Sequence, residues 1–298
     1  MNVLITGGTG FIGSALCSLL LKDKHDVVVL SRHPEKIKSP LRGISDLKQL
    51  VSDTFFDVVI NLAGEPIADK KWSDQQKQKI IQSRINITQN LISYFEAMEH
   101  RPTLFISGSA IGYYGITASD EGIDETVSGD SSFSSQLCQQ WESLALQAQK
   151  MGIRTCIIRT GIVLGNGGAL GKMLLPFKMG LGGIIGKGSQ WMSWVHLHDL
   201  LGIILYCIDH AEMQGVINGT SPHPVTNRVF TKTLSDVLKR PSFLPMPAFV
   251  VKMLMGQMGE ELLLAGKKVL PVKVLNAGYI FKYKQLKGAL QDVVNNQG

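Results

Sequence analysis

Residues 1–13 read MNVLITGGTGFIG and hold a strand, a glycine turn and a helix start in sequence. Residues 2–6 form a short aliphatic and β-branched run, the composition of a strand buried on both faces of a parallel sheet. Gly7, Gly10 and Gly13 recur at every third position, and from Phe11 the apolar residues fall at 11, 12, 15, 16, 19 and 20, which is a helical stripe. A strand turning sharply into a helix leaves the helix's first amides without internal partners, next to the positive end of its dipole. Such a turn binds phosphate. Gly7 suits the tight turn, Gly10 the approach of a pyrophosphate and Gly13 the contact of helix with strand, so a dinucleotide is the expected ligand.

The remaining composition narrows the class. The chain has 298 residues, 44% of them hydrophobic, enough for a large α/β domain with a smaller lobe. The longest clean apolar run, residues 200–208, is about half the length of a membrane span and reads as a buried helix. With the first strand starting at residue 2 there is no basic-then-apolar leader, so the cytoplasm is the expected compartment. The four cysteines, Cys17, Cys138, Cys156 and Cys207, have neither metal nor redox spacing. A net charge of +6 is spread along the chain without interleaved aromatics, which argues against nucleic acid and suits an anionic small molecule.

Residues 26–30 (DVVVL) read as a second strand ending in Ser31 and Arg32. A fold preferring NAD places an acidic residue here for the ribose hydroxyls, whereas a guanidinium pairs with a 2′-phosphate, so NADP(H) is the expected cofactor. Residues 32–56 are too short and polar for a full strand-helix repeat; only 45–52 hint at a helix, and the third strand is short or missing. Residues 57–62 read as a central strand, 72–97 and 133–150 as helices, 103–107 and 153–159 as strands, and 215–218 as a returning strand. Residues 166–188 alternate glycine and apolar residues, as a helix and a lid would. His196 sits among apolar neighbours and is read as a residue bonded inside the fold, and Asp199 as an anion in the first turn of the following helix. Glu260, Glu261, Lys267 and Lys268 read as a mixed, solvated helical face.

The spacing GxxGxxG at 7–13, preceded by Thr6, resembles the extended short-chain dehydrogenase/reductase superfamily. Within it, GGTGFIG, NLAGEPI at 61–67, SGSAIGYYG at 107–115, CQQWE at 138–142, the glycine-rich 175–190, GEELLLAGKKVLP at 259–271 and LKGAL at 286–290 resemble the atypical epimerase-family reductases, a group labelled sugar-nucleotide epimerase or cell-division inhibitor. The resemblance implies a Rossmann-type doubly wound parallel α/β sheet with a smaller C-terminal substrate lobe. It is divided as a dinucleotide domain over 1–165, onto which 190–220 packs back, a lid and substrate lobe over 166–240, and a small helical domain over 241–298.

The resemblance also implies a site. Gly7, Thr9, Gly10, Phe11, Ile12 and Gly13 would line the pyrophosphate, Ser31 and Arg32 the 2′-phosphate, and Leu62, Ala63, Gly64, Arg84 and Ser134 further parts of the cofactor. Ser109 would both donate to and accept from the reacting substrate oxygen. The superfamily's YxxxK pair is absent: anchored on Glu142, its Tyr position falls on Ser134 and its Lys position on Cys138. Tyr113 and Tyr114 are the remaining proton donors, their phenols acidified by the cofactor's positive ring, unless they only wall the pocket. The expected function is NADP(H)-linked oxidoreduction, or epimerisation through transient oxidation, of a small carbonyl or sugar-like substrate. The alternative is a catalytically weak NADPH-binding sensor or scaffold that signals to a protein partner. Expected partners are the small molecule and, in a homodimer, a second copy, with neither nucleic acid nor membrane.

Overall fold

The computed structural model describes residues 1–50, 54–116 and 120–296. Its central sheet has seven parallel strands: β1 (Asn2–Thr6), β2 (Asp26–Leu30), β3 (Arg42–Ile44), β4 (Val58–Asn61), β5 (Leu104–Ala110), β6 (Arg154–Thr160) and β7 (Gly215–Gly219). Their order is β7-β6-β5-β4-β1-β2-β3. The chain runs outward from β1 to β3, then crosses back to start β4 on the other side of β1. That reversal opens a crevice above the carboxyl ends of β1 and β4, where ligands bind in such sheets.

Side chains alternate between the two faces of each strand, and both faces are covered. Val3, Ile5, Ile106 and Ile158 point into a core shared with α1 (Phe11–Lys22) and Leu197–Asp209. Leu4, Phe105 and Ile157 point the other way, against α2 (Asp74–Ala97) and α3 (Phe133–Ala145). Burial on both faces is why these strands are continuous apolar runs rather than alternating ones. Each large aliphatic side chain so enclosed contributes roughly 1.5–3 kcal/mol of hydrophobic stabilisation.

A further core, built from Leu170, Phe177, Trp194, Phe230, Leu234 and Leu290, forms the lobe. It joins α4 (Gly168–Lys178) to α6 (Asn227–Leu238) and to the terminal α8 (Leu286–Asn295), with α5 (Leu197–Asp209) and α7 (Ala248–Met255) between them in the chain. β7, from the 190–220 stretch, completes the first sheet, and α8 packs with α4 and α6 in the core of the lobe. Between Arg32 and Phe56 the structure has the short edge strand β3 and, instead of a helix over 45–52, one tight turn at Leu47–Gln49. Asp46 starts that turn by accepting from the amide of Lys48 at 2.9 Å, and the end of the expected helix lies outside the described residues. The helix expected over 133–150 tightens after Ala145. No helix among the described residues is long and apolar enough to cross a membrane.

Candidate functional site

Gly7 has a φ of +74°, and a Cβ there would stand 2.6 Å from the carbonyl carbon of Leu62. A Cβ on Gly13 would stand 2.2 Å from the carbonyl oxygen of Gly7. These two positions admit only glycine because backbone meets backbone there. The amide of Gly10 donates to Gly7 at 3.0 Å, and Gly10 then caps α1 without a side chain, with no acidic residue in the first turn. The helix's amides and dipole are thus left for an anion. Thr9 is exposed at the turn, and Ile12 is half-buried in the first turn of α1. The Phe11 ring lies against Gly165 and Gly167, tying the turn to the lobe.

Beside this turn the end of β4 is fastened through side chains. Thr6 Oγ1 donates to Asn61 Oδ1 at 2.6 Å and accepts from the amide of Ala63 at 3.2 Å. Asn61 Nδ2 donates to Thr88 Oγ1 at 2.8 Å, and Trp141 Nε1 donates to the same oxygen at 3.0 Å. Sheet, α2 and α3 are locked together around residues 62–64, and Gly64 lies against the guanidinium of Arg84. At the end of β2, Ser31 Oγ accepts from the amide of His33 at 3.1 Å. Arg32 is exposed and engages no partner among the described residues.

Ser109, near the end of β5, is buried and donates to Glu142 Oε1 at 2.5 Å. Arg159 on β6 grips the same carboxylate with Nε at 2.9 Å and Nη2 at 2.8 Å. A carboxylate accepts only, so the proton of Ser109 is committed to Glu142, and the expectation that it also donates to substrate is corrected here. Arg159 Nη1 donates to Tyr114 Oη at 3.0 Å, and Tyr114 donates in turn to Asn218 Oδ1 at 2.7 Å. Burial pushes the Tyr114 phenol up to about 12, against the lowering field of Arg159. The acidified phenol expected at this position is therefore not found: Tyr114 is a buried strut between β6 and β7. Tyr113 lies with its ring 3.3 Å from the guanidinium carbon of Arg159.

Ser134 and Cys138 lie on α3, both buried. Burial, with the field of Glu142, pushes the Cys138 thiol up to about 11. Ser134 Oγ donates to Glu261 Oε2 at 2.7 Å, and its amide donates to the same oxygen at 2.9 Å. Glu261 is therefore not part of a solvated face: it closes the N-terminus of α3 from the C-terminal segment. Lys268, read with it, lies in a short strand paired with Gly122 and over the ring of Trp191, at 5.0 Å. Tertiary contacts override the helical pattern in this stretch. Two adjoining hollows of about 710 and 500 Å³ share Ile116 and Glu260. The first is walled by Lys187, Trp191 and Leu264, the second by Asp130, Gln257 and Glu261. The glycine turn and Ser109 line neither.

His196 caps α5: its Nδ1 accepts from the amide of His198 at 3.1 Å and its Nε2 lies 3.2 Å from Asp292. Asp199 accepts from the amides of Lys282 and Tyr283 at 2.8 and 2.9 Å, so it pins the C-terminal segment as well as sitting in the helix's first turn. All four cysteines are buried and unbridged, and no cluster of metal-ligating side chains occurs among the described residues. Reading the sequence alone missed Arg159, Asn218, Glu261 and the Asn61–Thr88 link as parts of this site.

Residues 3–218 match the NAD dependent epimerase/dehydratase family, and residues 246–293 match a domain of unknown function, DUF1731. The chloroplastic homolog of epimerase family protein SDR39U1 from Arabidopsis thaliana is 40% identical over 308 residues, covering 99% of this chain and 87% of the relative. Human epimerase family protein SDR39U1 is 36% identical over 297 residues, covering 99% of this chain and 100% of the relative. A crystal structure of human SDR39U1 (isoform 2), solved with NADPH, superposes with a TM-score of 0.89 at 34% identity, covering 99% of this chain and 100% of that one. The glycine turn, the groove beside it and a match running from the first strand to β7 make this chain a member of the NAD dependent epimerase/dehydratase family.

Proposed function

We propose that this chain binds NADP(H) and carries out oxidoreduction, or epimerisation through transient oxidation, on a small carbonyl or sugar-like substrate. The observation that carries the reading is the uncapped N-terminus of α1 on a turn where Gly7 and Gly13 admit no side chain, with Arg32, unpartnered among the described residues, at the end of the neighbouring strand. In this reading the turn holds the pyrophosphate and Arg32 the 2′-phosphate through a charge-assisted fork. The human relative crystallised with NADPH supports it.

When bound, the nicotinamide supplies or takes a hydride. The chain's own contribution is orientation: Ser109, its proton held by Glu142, offers lone pairs to a substrate hydroxyl, and Tyr113 stands on the Arg159 plane beside it. Four unbridged cysteines suit a reducing compartment such as the cytoplasm.

One observation favours the sensor as a second reading: Ser134 and Cys138 stand where a Tyr and a Lys would, and Ser134 is engaged by the C-terminal Glu261. Native mass spectrometry of the purified protein, followed by hydride exchange against a panel of ketones, aldehydes and nucleotide sugars, separates the two. Retained NADP(H) with isotope transfer to or from any panel member supports the enzyme. Retained nucleotide with a changed subunit number and no transfer supports the sensor, and no nucleotide under any loading condition removes both.

A further inference from the structure

Among the described residues, most of the large apolar side chains left exposed gather on one face of the lobe. Leu175, Met179 and Leu181 lie on the last turn of α4 and just beyond it, and Phe243, Phe249 and Met253 lie on α7 and the segment before it. The amides of Leu244 and Met246 donate to the carbonyls of Gly182 and Ile184 at 3.4 and 2.9 Å, and the amide of Gly186 donates back to Met246 at 2.9 Å. A Cβ on Gly180 would stand 3.5 Å from Pro241. The two segments therefore run side by side.

Phe243, Phe249 and Met253 are 71%, 70% and 70% exposed, and Val251 alone of α7 is buried. Aromatic side chains carry roughly 150–250 Å² each, and with the methionines and leucines beside them these exposures exceed the roughly 300–600 Å² of the largest apolar patch on an ordinary monomer. A face of that size is a contact surface.

Charge says what it contacts. Neither 168–188 nor 239–256 contains an aspartate or glutamate, and both carry lysine or arginine. Lys239 and Arg240 stand exposed next to Pro241 and form no ion pair among the described residues. Asp236, one turn earlier on α6, offsets part of that charge, while Glu260 is taken up by Lys252 at 2.7 Å and Asp69 by Lys172. A second copy docked through the same face would set these cations against their own kind. Phe243, Phe249 and Met253 line neither hollow, as a peptide groove would require. An anionic lipid surface answers both features, because exposed rings enter the headgroup layer while cations meet its phosphates.

We infer that the α4–α7 face docks on the surface of an anionic membrane. The expectation of no membrane partner rests on the lack of a spanning segment, and a face lying in the headgroup layer needs none. This stands independently of the NADP(H) reading.

Co-sedimentation of the full chain with vesicles tests it, using phosphatidylcholine alone and equal parts of phosphatidylcholine and phosphatidylglycerol. The mixed vesicles are expected to bind the chain about tenfold or more tightly than the neutral ones, with the difference shrinking as salt rises to about 0.5 M. Phe243→Ser with Phe249→Ser is expected to weaken binding to the mixed vesicles by about tenfold, and Lys239→Gln with Arg240→Gln by about fivefold or more. The second pair removes no apolar contact and decides the matter should the first fail to fold. No sedimentation with the mixed vesicles, equal binding to both kinds, or unchanged binding after Lys239→Gln with Arg240→Gln overturns the inference. So does a lipid-free dimer, seen by analytical ultracentrifugation, that the phenylalanine changes dissociate, because the face would then belong to a second copy.

Discussion

Ser109 and Glu142 meet across 2.5 Å in the buried interior between β5 and α3, and the same carboxylate is clamped by Arg159. The arrangement fixes the direction of the serine's hydrogen bond before any ligand arrives. It also makes Arg159 a stability residue, because its side chain and that of Glu142 are 3% and 5% exposed. Arg159→Met leaves a buried carboxylate uncompensated and is expected to cost about 3–5 kcal/mol in urea unfolding. The double variant with Glu142→Leu is expected to recover much of that loss. A single-variant cost below about 1 kcal/mol contradicts the clamp.

Glycine to alanine changes have opposite signs at two helix positions. Gly13→Ala places a Cβ 2.2 Å from a backbone oxygen and forces the β1–α1 turn open, so NADPH binding is expected to be lost together with about 1–3 kcal/mol of stability. Gly171→Ala in α4 meets nothing within 4 Å and is expected to stabilise by about 0.5–1 kcal/mol. Thermal melts of the two variants, with and without nucleotide, check the pair; equal shifts contradict the assignment.

Arg32→Ala removes a guanidinium that no side chain among the described residues engages. Loss of a charge-assisted contact to a 2′-phosphate is expected to weaken NADPH by about tenfold or more and NADH by less than about twofold. Fluorescence titration of both nucleotides reads the ratio directly, and equal losses contradict the role.

His196 sets a pH dependence. Its ring is buried under Tyr283, centroid to centroid 3.9 Å, with Asp292 at 3.2 Å, and Asp199 and His198 also act on it. Burial outweighs the two carboxylates and lowers its pKa from the ordinary 6.5. The unfolded chain therefore takes up a proton between that lowered value and 6.5, and the contribution present above 6.5 is lost as pH falls through the folded value. Melting temperature is expected to fall from about pH 7.5 to about pH 5.5, and less steeply in His196→Gln. Parallel slopes contradict it.

The part of the site readable in the sequence is the part built from neighbours in the chain. Gly7, Gly10 and Gly13 are legible as a strand-to-helix turn because strand, turn and helix follow one another within a few residues and each has its own periodicity. Glu142 and Arg159 were both visible, one as a motif anchor and one at a strand end, yet their pairing depends on β6 lying beside β5. Glu261 was misread because its partner Ser134 is 127 residues away, and nothing local distinguishes a carboxylate that closes a distant helix from one facing water. Tyr114 was misjudged for a similar reason: its phenol points to Asn218, 104 residues on, rather than into the groove. Chemistry decided by strand order and lobe docking is written in pairs that only the fold brings together.

The central claim is that the β1–α1 turn grips a pyrophosphate while Arg32 selects the phosphorylated ribose. Isothermal titration of the unmodified chain with NADPH and with NADH, in one buffer at one salt concentration, tests it most directly. One NADPH per chain, bound about tenfold or more tightly than NADH, is the expected result; no heat with either nucleotide, or a preference for NADH, contradicts it.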